Sequence, residues 1–311
     1  MPINRVESLV YGVADLAAGT RYYENWGLEL VERSDSGALF RTPTGQTIRL
    51  LPMDDPSLPP APDGEKSTLR QTVWGVDSAD DLEAIAAEMA KDRDVVRAAD
   101  GSISTVDESG FSIGFAVSQP GDVKVEMPKV NLNENAQRLN VTVAAIPQAQ
   151  PLRLGHVVFY IAPEGADRAV SFYIDRLGFR LSDSTVGRGD FMRCAGSRDH
   201  HNLFLLQRES GAGFNHAAFE VRDFDEIMMG GAYMKSQGWE PDTTPGRHIL
   251  GSNLYWYFRN PCGGNTEYFA DMDCMDDDWE PRIWDKSPGF ALWSIDDPDQ
   301  PSTPPAASMP S

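Results

Sequence analysis

All five histidines of this 311-residue chain lie between positions 156 and 248: His156, His200, His201, His216 and His248. The first 155 residues contain none. An imidazole changes charge near neutral pH and is the commonest protein ligand for transition metals, so this asymmetry points to acid–base or metal chemistry in the second half. Three polar side chains sit inside runs that otherwise read as buried strands: His156 in GHVVFYI, His216 in NHAAFEV and Glu267 in TEYFA. An imidazole or carboxylate facing the interior of a sheet is costly unless it is paired or binds a cation. Two imidazoles and one carboxylate with open coordination positions are the ligand set of non-haem Fe(II) centres that handle O2, and the same N,N,O set suits Mn(II). Three unrelated polar residues at strand edges would explain any one of these positions, but explain the three together poorly.

The elements that must position these residues show as an internal repeat. Residues 6–36 (VESLVYGVADLAAGTRYYENWGLELVERSDS) and 154–184 (LGHVVFYIAPEGADRAVSFYIDRLGFRLSDS) share one plan. Each runs from a β-branched and aromatic strand through a helix with an aromatic pair (Tyr22-Tyr23; Phe172-Tyr173) to a glycine (Gly27; Gly178) where the helix should end. Further on, residues 71–76 parallel 216–221, and 110–115 parallel 264–269. In these alignments His156, His216 and Glu267 face Ser8, Gln71 and Ile113, so the second copy alone carries the polar set. Each half reads as β-α-β-β-β twice over. The expected fold is α+β, with two tandem domains, each of paired βαββ modules. The boundaries read as residues 1–130, a polar linker at 131–151, a metal-binding domain at 152–286 and a Pro/Ser-rich tail at 287–311.

Composition narrows the partners. Lys and Arg total 27 against 47 Asp and Glu, a net charge of −20. That excess of acid argues against nucleic acid and against an anionic membrane surface. No run is long and apolar enough for a transmembrane helix, and the N-terminus lacks the apolar core of a secretory signal. Three cysteines without a CxxC pair fit neither a disulfide framework nor a thiolate zinc site, so a reducing cytoplasm is the expected location.

The window from Gly246 to Glu267, GRHILGSNLYWYFRNPCGGNTE, carries Gly246, His248, Tyr257, Asn260-Pro261, Gly263 and Glu267 in order. This run resembles the type I extradiol (ring-cleaving) catechol dioxygenases of the vicinal oxygen chelate superfamily. Gly155-His156, Asp199-His200-His201-Asn202-Leu203 and Phe214-Asn215-His216 resemble that family's other site segments, while Trp256 departs from its usual aliphatic residue or Phe. The resemblance implies a metal-free N-terminal domain followed by a metal-bearing one. It implies His156, His216 and Glu267 as ligands of Fe(II), with Mn(II) the alternative, and O2 as co-substrate. His201 becomes the acid–base residue, and His248 and Tyr257 contact the hydroxyls of a small aromatic diol, as does His201. His200 is expected to point away from His201, as neighbours do on a strand. The implied reaction is meta cleavage of a catechol-type ring by a homo-oligomer. Two other readings of the scaffold are a metal-dependent glyoxalase-like isomerase or lyase and a metal-free module that binds aromatics. The acidic run Asp271–Glu280 reads as a solvated strand exit or a lid, and Trp279, Trp284 and Trp293 as candidates to close over an aromatic substrate.

Overall fold

The computed structural model describes residues 3–62, 64–126 and 128–295. The first domain holds β1 (Ile3–Val13), α1 (Leu16–Trp26), β2 (Glu29–Ser34), β3 (Gly37–Arg41) and β4 (Thr47–Pro52), then β5 (Thr68–Val76), α2 (Ala79–Met89), β6 (Val96–Arg97), β7 (Ile103–Val106) and β8 (Ser112–Val117). A two-strand hairpin, β9 (Asn131–Leu132) and β10 (Asn135–Ala136), interrupts the connection. The second domain repeats the order: β11 (Arg153–Ile161), α3 (Ala166–Ser171) with a π-helical turn over Phe172–Arg176, β12 (Arg180–Thr185), β13 (Gly189–Arg193) and β14 (Leu203–Gln207). Its other module is β15 (Gly213–Glu220), α4 (Phe224–Ser236), β16 (Gly246–His248), β17 (Leu254–Arg259) and β18 (Asn265–Ala270). Two short strands follow, β19 (Arg282–Trp284) and β20 (Ala291–Ser294). Each of the four modules thus carries three strands after its helix, the β-α-β-β-β order expected of each half and one strand more than the βαββ shorthand.

The helices begin where local chemistry starts them. Asp15, Ser78 and Asp223 stand in extended conformation before α1, α2 and α4, and their side chains accept from the backbone N–H three residues on. Gly27 ends α1 at φ 100, with no room for a side chain: a Cβ there would fall 1.9 Å from the carbonyl oxygen of Ala149.

In every module the last strand pairs parallel with the first, and the first strands of paired modules run antiparallel side by side. The two sheets therefore share one centre, β4-β1-β5-β8 in the first and β14-β11-β15-β18 in the second. Register corrects one equivalence. Ser8 pairs with Val73 and Val73 with Gly114, just as His156 pairs with Ala218 and Ala218 with Glu267. Glu267 therefore corresponds to Gly114 instead of Ile113, because the alignment by composition slipped one residue in a strand where one residue means the other face.

The second sheet goes further than the first. β19 pairs with β12 and β20 with β16, so the segment from 282 to 294 joins both edges of the ten-stranded sheet. Pairing of Ala291–Ser294 lies within the stretch expected as tail. Residues 296–311, which hold the rest of that tail, lie outside the described residues.

The two domains share one core. Trp26 of α1 stacks on Tyr268 of β18 at 3.6 Å between ring centroids, Asn260 donates to the Tyr23 hydroxyl at 3.0 Å, and Tyr22 meets Thr266. In the reverse direction, Tyr173 of the π-helical turn donates to Asp107 at 2.8 Å, and Phe179 packs edge-on against Trp74. Where β1 and β11 meet, buried Gln46 donates to Val6 O and Leu154 O and accepts from Leu154 N.

Candidate metal centre

His156, His216 and Glu267 come together because their strands are neighbours. β15 lies between β11 and β18, His156 and Glu267 flank Ala218 across the sheet, and His216 precedes Ala218 by two residues. Residues two apart share a face, so all three side chains leave the same side of the sheet. His156 Nε2 is 3.0 Å and His216 Nε2 3.2 Å from Glu267 Oε2, and the two nitrogens are 3.4 Å apart. Those spacings match neighbouring vertices of an octahedron with bonds of about 2.1–2.4 Å, the range of imidazole and carboxylate ligands to a divalent ion.

The donor chemistry fits a cation as well. The Glu267 carboxylate is fully buried, and among the described residues its ion-pair partners are all imidazoles. Burial alone would raise its pKa, but the surrounding imidazoles of His156, His216 and His248 hold it well below the carboxylate range. Burial pushes His216 and His201 down against the pull of Glu267. An ionised carboxylate beside neutral imidazoles is the protonation state that metal binding requires. Neighbours aim the ligands: His216 Nδ1 meets Asn215 Oδ1 at 2.5 Å, leaving Nε2 toward the centre, and Asn253 donates to Glu267 Oε1 at 3.0 Å.

His156 and His216 of the triad line a cavity of about 360 Å³. Val158, Phe191, Phe204 and Leu206, from the neighbouring strands β11, β13 and β14, make one apolar wall, and Leu250 and Phe290 also line the cavity. His156, His216, His201, His248 and Tyr257 all line it, and Glu267 lies behind. The His201 ring centroid is 4.1 Å from that of His156. His248 Nε2 lies 2.9 Å from the Tyr257 hydroxyl, with its Nδ1 held by Phe290 O at 3.0 Å.

His200 does not line the cavity, but strand alternation is not the reason. Both histidines precede β14 in irregular chain, and their rings meet Nδ1 to Nδ1 at 3.0 Å, nearly perpendicular. Gly251 makes room for this: at φ 81, a Cβ would come 3.1 Å from His200 Nδ1.

Other expectations are corrected. Trp279 donates to Ser182 O and Trp284 to Asp183, both on β12, while Trp293 packs edge-on against Phe224, so none of the three faces the cavity. Phe290 takes that place, with Ser287 and Gly289 beside it. The acidic run lies along residues 198–200, through Asp273 O accepting from His200 N and Met275 N donating to Arg198 O, and none of its residues lines the cavity. The sequence reading gave no role to Asn253, Asp183 and Arg282, and none to Asn215, which it named only within the Phe214-Asn215-His216 segment. Asn215 next to His216 was the one such residue with a readable signal, since a ligand histidine needs a partner for its second nitrogen.

Residues 153–268 match the model of the Glyoxalase/Bleomycin resistance protein/Dioxygenase superfamily. Over 137 residues the chain is 37% identical to Metapyrocatechase 2 of Cupriavidus necator, covering 44% of this chain and 42% of that protein. Over 156 residues it is 28% identical to an iron-dependent extradiol dioxygenase of Rhodococcus jostii, covering 46% and 50%. The chain thus spans about half the length of the curated relatives it matches. The crystal structure of a Mn(II)-bound glyoxalase from Novosphingobium aromaticivorans superposes with a TM-score of 0.74 at 23% identity, covering 94% of this chain and 91% of that one, which establishes a common fold.

Proposed function

Residues 153–268 carry a domain of the glyoxalase, bleomycin-resistance and dioxygenase superfamily, and from that premise we propose that the chain is an extradiol dioxygenase. Its reaction is O2-dependent meta cleavage of a catechol-type ring, with both oxygen atoms retained in a ring-opened semialdehyde acid. The observation that carries this reading is the convergence of His156, His216 and Glu267 beside a cavity that His156 and His216 line together with His201, His248 and Tyr257. Relatives named metapyrocatechase and iron-dependent extradiol dioxygenase support it.

His156, His216 and Glu267 would hold Fe(II), or Mn(II), which suits the same donors. Such an ion, when bound, brings an aromatic diol and O2 together and passes electron density between them. The protein's own groups do the rest. The apolar walls exclude water and fix the plane of the ring. The Tyr257 hydroxyl and His248 Nε2, already paired, offer a donor and an acceptor to the substrate hydroxyls. His201, kept neutral by burial, accepts a hydroxyl proton and returns it when the ring opens. A cavity of this size lies at the low end for small-molecule sites, so compact diols are the expected substrates.

A homo-oligomer in the cytoplasm belongs to the same proposal. Val130, Leu132, Leu139, Val141 and Val143 all stand exposed along the connection between the domains, an apolar stretch that favours burial against a second copy. Light scattering on the purified chain tests the oligomer.

The activity test is anaerobic purification, loading with Fe(II) or Mn(II), and oxygen uptake with catechol, 3-methylcatechol and 2,3-dihydroxybiphenyl. One O2 consumed per diol is expected. Metal-loaded protein that consumes no oxygen with any diol of a broad panel would overturn the reading and favour a metal-dependent isomerase.

A further inference from the structure

Behind His201 runs a buried chain of hydrogen bonds that ends in a charge. His201 Nδ1 lies 3.0 Å from His200 Nδ1, and His200 Nε2 lies 2.7 Å from Asp183 Oδ2. Arg282 donates to both Asp183 oxygens, at 2.9 and 2.7 Å, and Trp284 Nε1 donates to Oδ1 at 2.7 Å. Asp183 and His200 are fully buried, and His201 nearly so.

Proton counting along this chain has one consistent solution for neutral rings. Burial raises the Asp183 pKa, but hydrogen bonds from His200, Arg282 and Trp284 bring it below the ordinary carboxylate value, so the group is ionised and only accepts. His200 Nε2 must then donate. A neutral His200 has its lone pair on Nδ1, and two nitrogens facing each other share one proton, so His201 carries its proton on Nδ1. The second nitrogen of His201, Nε2, is left with a lone pair and no protein partner among the described residues.

The geometry points to Asp183 as a positioning residue that, acting through His200, fixes His201 in the tautomer whose unprotonated Nε2 serves the cavity. The use made of that nitrogen rests on the proposed function: the substrate O–H bond breaks, an N–H bond forms at Nε2, and the same proton leaves with the product. The Asp183 carboxylate stabilises the imidazolium formed in between, relayed by His200. Arg282 and Trp284 reach Asp183 from β19, so the segment closing the sheet also completes this chain. The arrangement is one of oriented tautomers, and a doubly protonated His200 would reverse it, placing the His201 proton on Nε2.

The test is nitrogen NMR of the full chain labelled with 15N-histidine, both metal-free and loaded with diamagnetic Zn(II), with peaks assigned by single histidine substitutions. His201 is expected to be protonated on Nδ1 and His200 on Nε2. In Asp183→Asn this pattern is expected to lose its single tautomer at both rings, while the His248 signals stay in place. A wild-type His201 protonated on Nε2, or an unchanged pattern in Asp183→Asn, would overturn the inference. Turnover gives a second reading: Asp183→Asn and the half-exposed Arg282→Ala should each lower kcat about tenfold, with metal content and diol KM within twofold. An unchanged kcat in both would also overturn it. Should Asp183→Asn fail to fold, the wild-type spectra and Arg282→Ala decide. Absence of oxygen uptake by wild-type protein counts against the dioxygenase reading, whereas the tautomer pattern is read without turnover.

Discussion

At the scale of single residues, the centre was legible where polarity contradicted its surroundings. His156, His216 and Glu267 each interrupt an apolar strand, and one sequence suffices to see that such groups need a partner. Asp183 gave no such signal, because it sits in RLSDST, where an aspartate beside serines reads as surface. Its full burial follows from β19 covering β12, a long-range event that no local pattern announces. Two substitutions separate the roles. Glu267→Gln keeps the shape of the side chain and removes the charge of the proposed carboxylate ligand, so metal affinity is expected to fall at least tenfold. Elemental analysis after dialysis checks this, and unchanged occupancy would remove Glu267 from the ligand set. His201→Asn should retain metal and bind the diol, with turnover slower by on the order of 10²-fold. If His200→Asn alone shows that loss, the acid–base group has been assigned to the wrong ring.

At the scale of elements, the long strands and capped helices could be read because each carries its own periodicity. β3 buries Ala38 and Phe40 and β4 buries Ile48 and Leu50, alternating as strand residues do, and α1, α2 and α4 have a capping side chain at their start. What the sequence hid was short or relational. β19 and β20 have three and four residues, too few to show alternation, and each exists by pairing with an edge strand far away in the chain. The slip between Ile113 and Gly114 is of the same kind: register is a relation between strands, and composition along one strand does not contain it. The closing segment is where this matters for function. A chain ending at Pro281 loses β19, β20, Phe290, and the carbonyl that holds His248 Nδ1, but none of the three candidate ligands. Such a chain should hold metal as tightly as the whole protein, while the diol KM rises about tenfold through loss of a cavity wall. Equal KM values in steady-state oxygen uptake would show that the segment forms no wall for the bound diol, whatever kcat loses with Arg282 and Trp284.

At the scale of the whole molecule, the repeat suggested two bodies on a linker, and the structure has them sharing one core. Helix α1 of the first domain lies against β17 and β18 of the second, while the π-helical turn of the second lies against the first. Asp107 belongs to that second contact, and it gives the interface a dependence on pH. It accepts from Tyr173 at 2.8 Å and from the N–H groups of Ser109 and Phe111, both at 2.9 Å. Burial still prevails over these bonds and raises its pKa from the ordinary 3.8 to about 6. Below about pH 4 the carboxyl is protonated whether the chain is folded or not, and above about pH 6 it is ionised in both states. Between those limits the folded chain keeps a proton that the unfolded chain has released, so this group's contribution to stability declines as pH rises, by about 3 kcal/mol over the window. Asp107→Asn removes the titration and keeps an oxygen for the two backbone donors. Relative to wild type, the variant should therefore gain about 1–3 kcal/mol of unfolding free energy between pH 4 and pH 7. Urea unfolding of both proteins at those two pH values measures the gain. A difference that stays flat across the window would mean that Asp107 does not hold its proton in the folded interface.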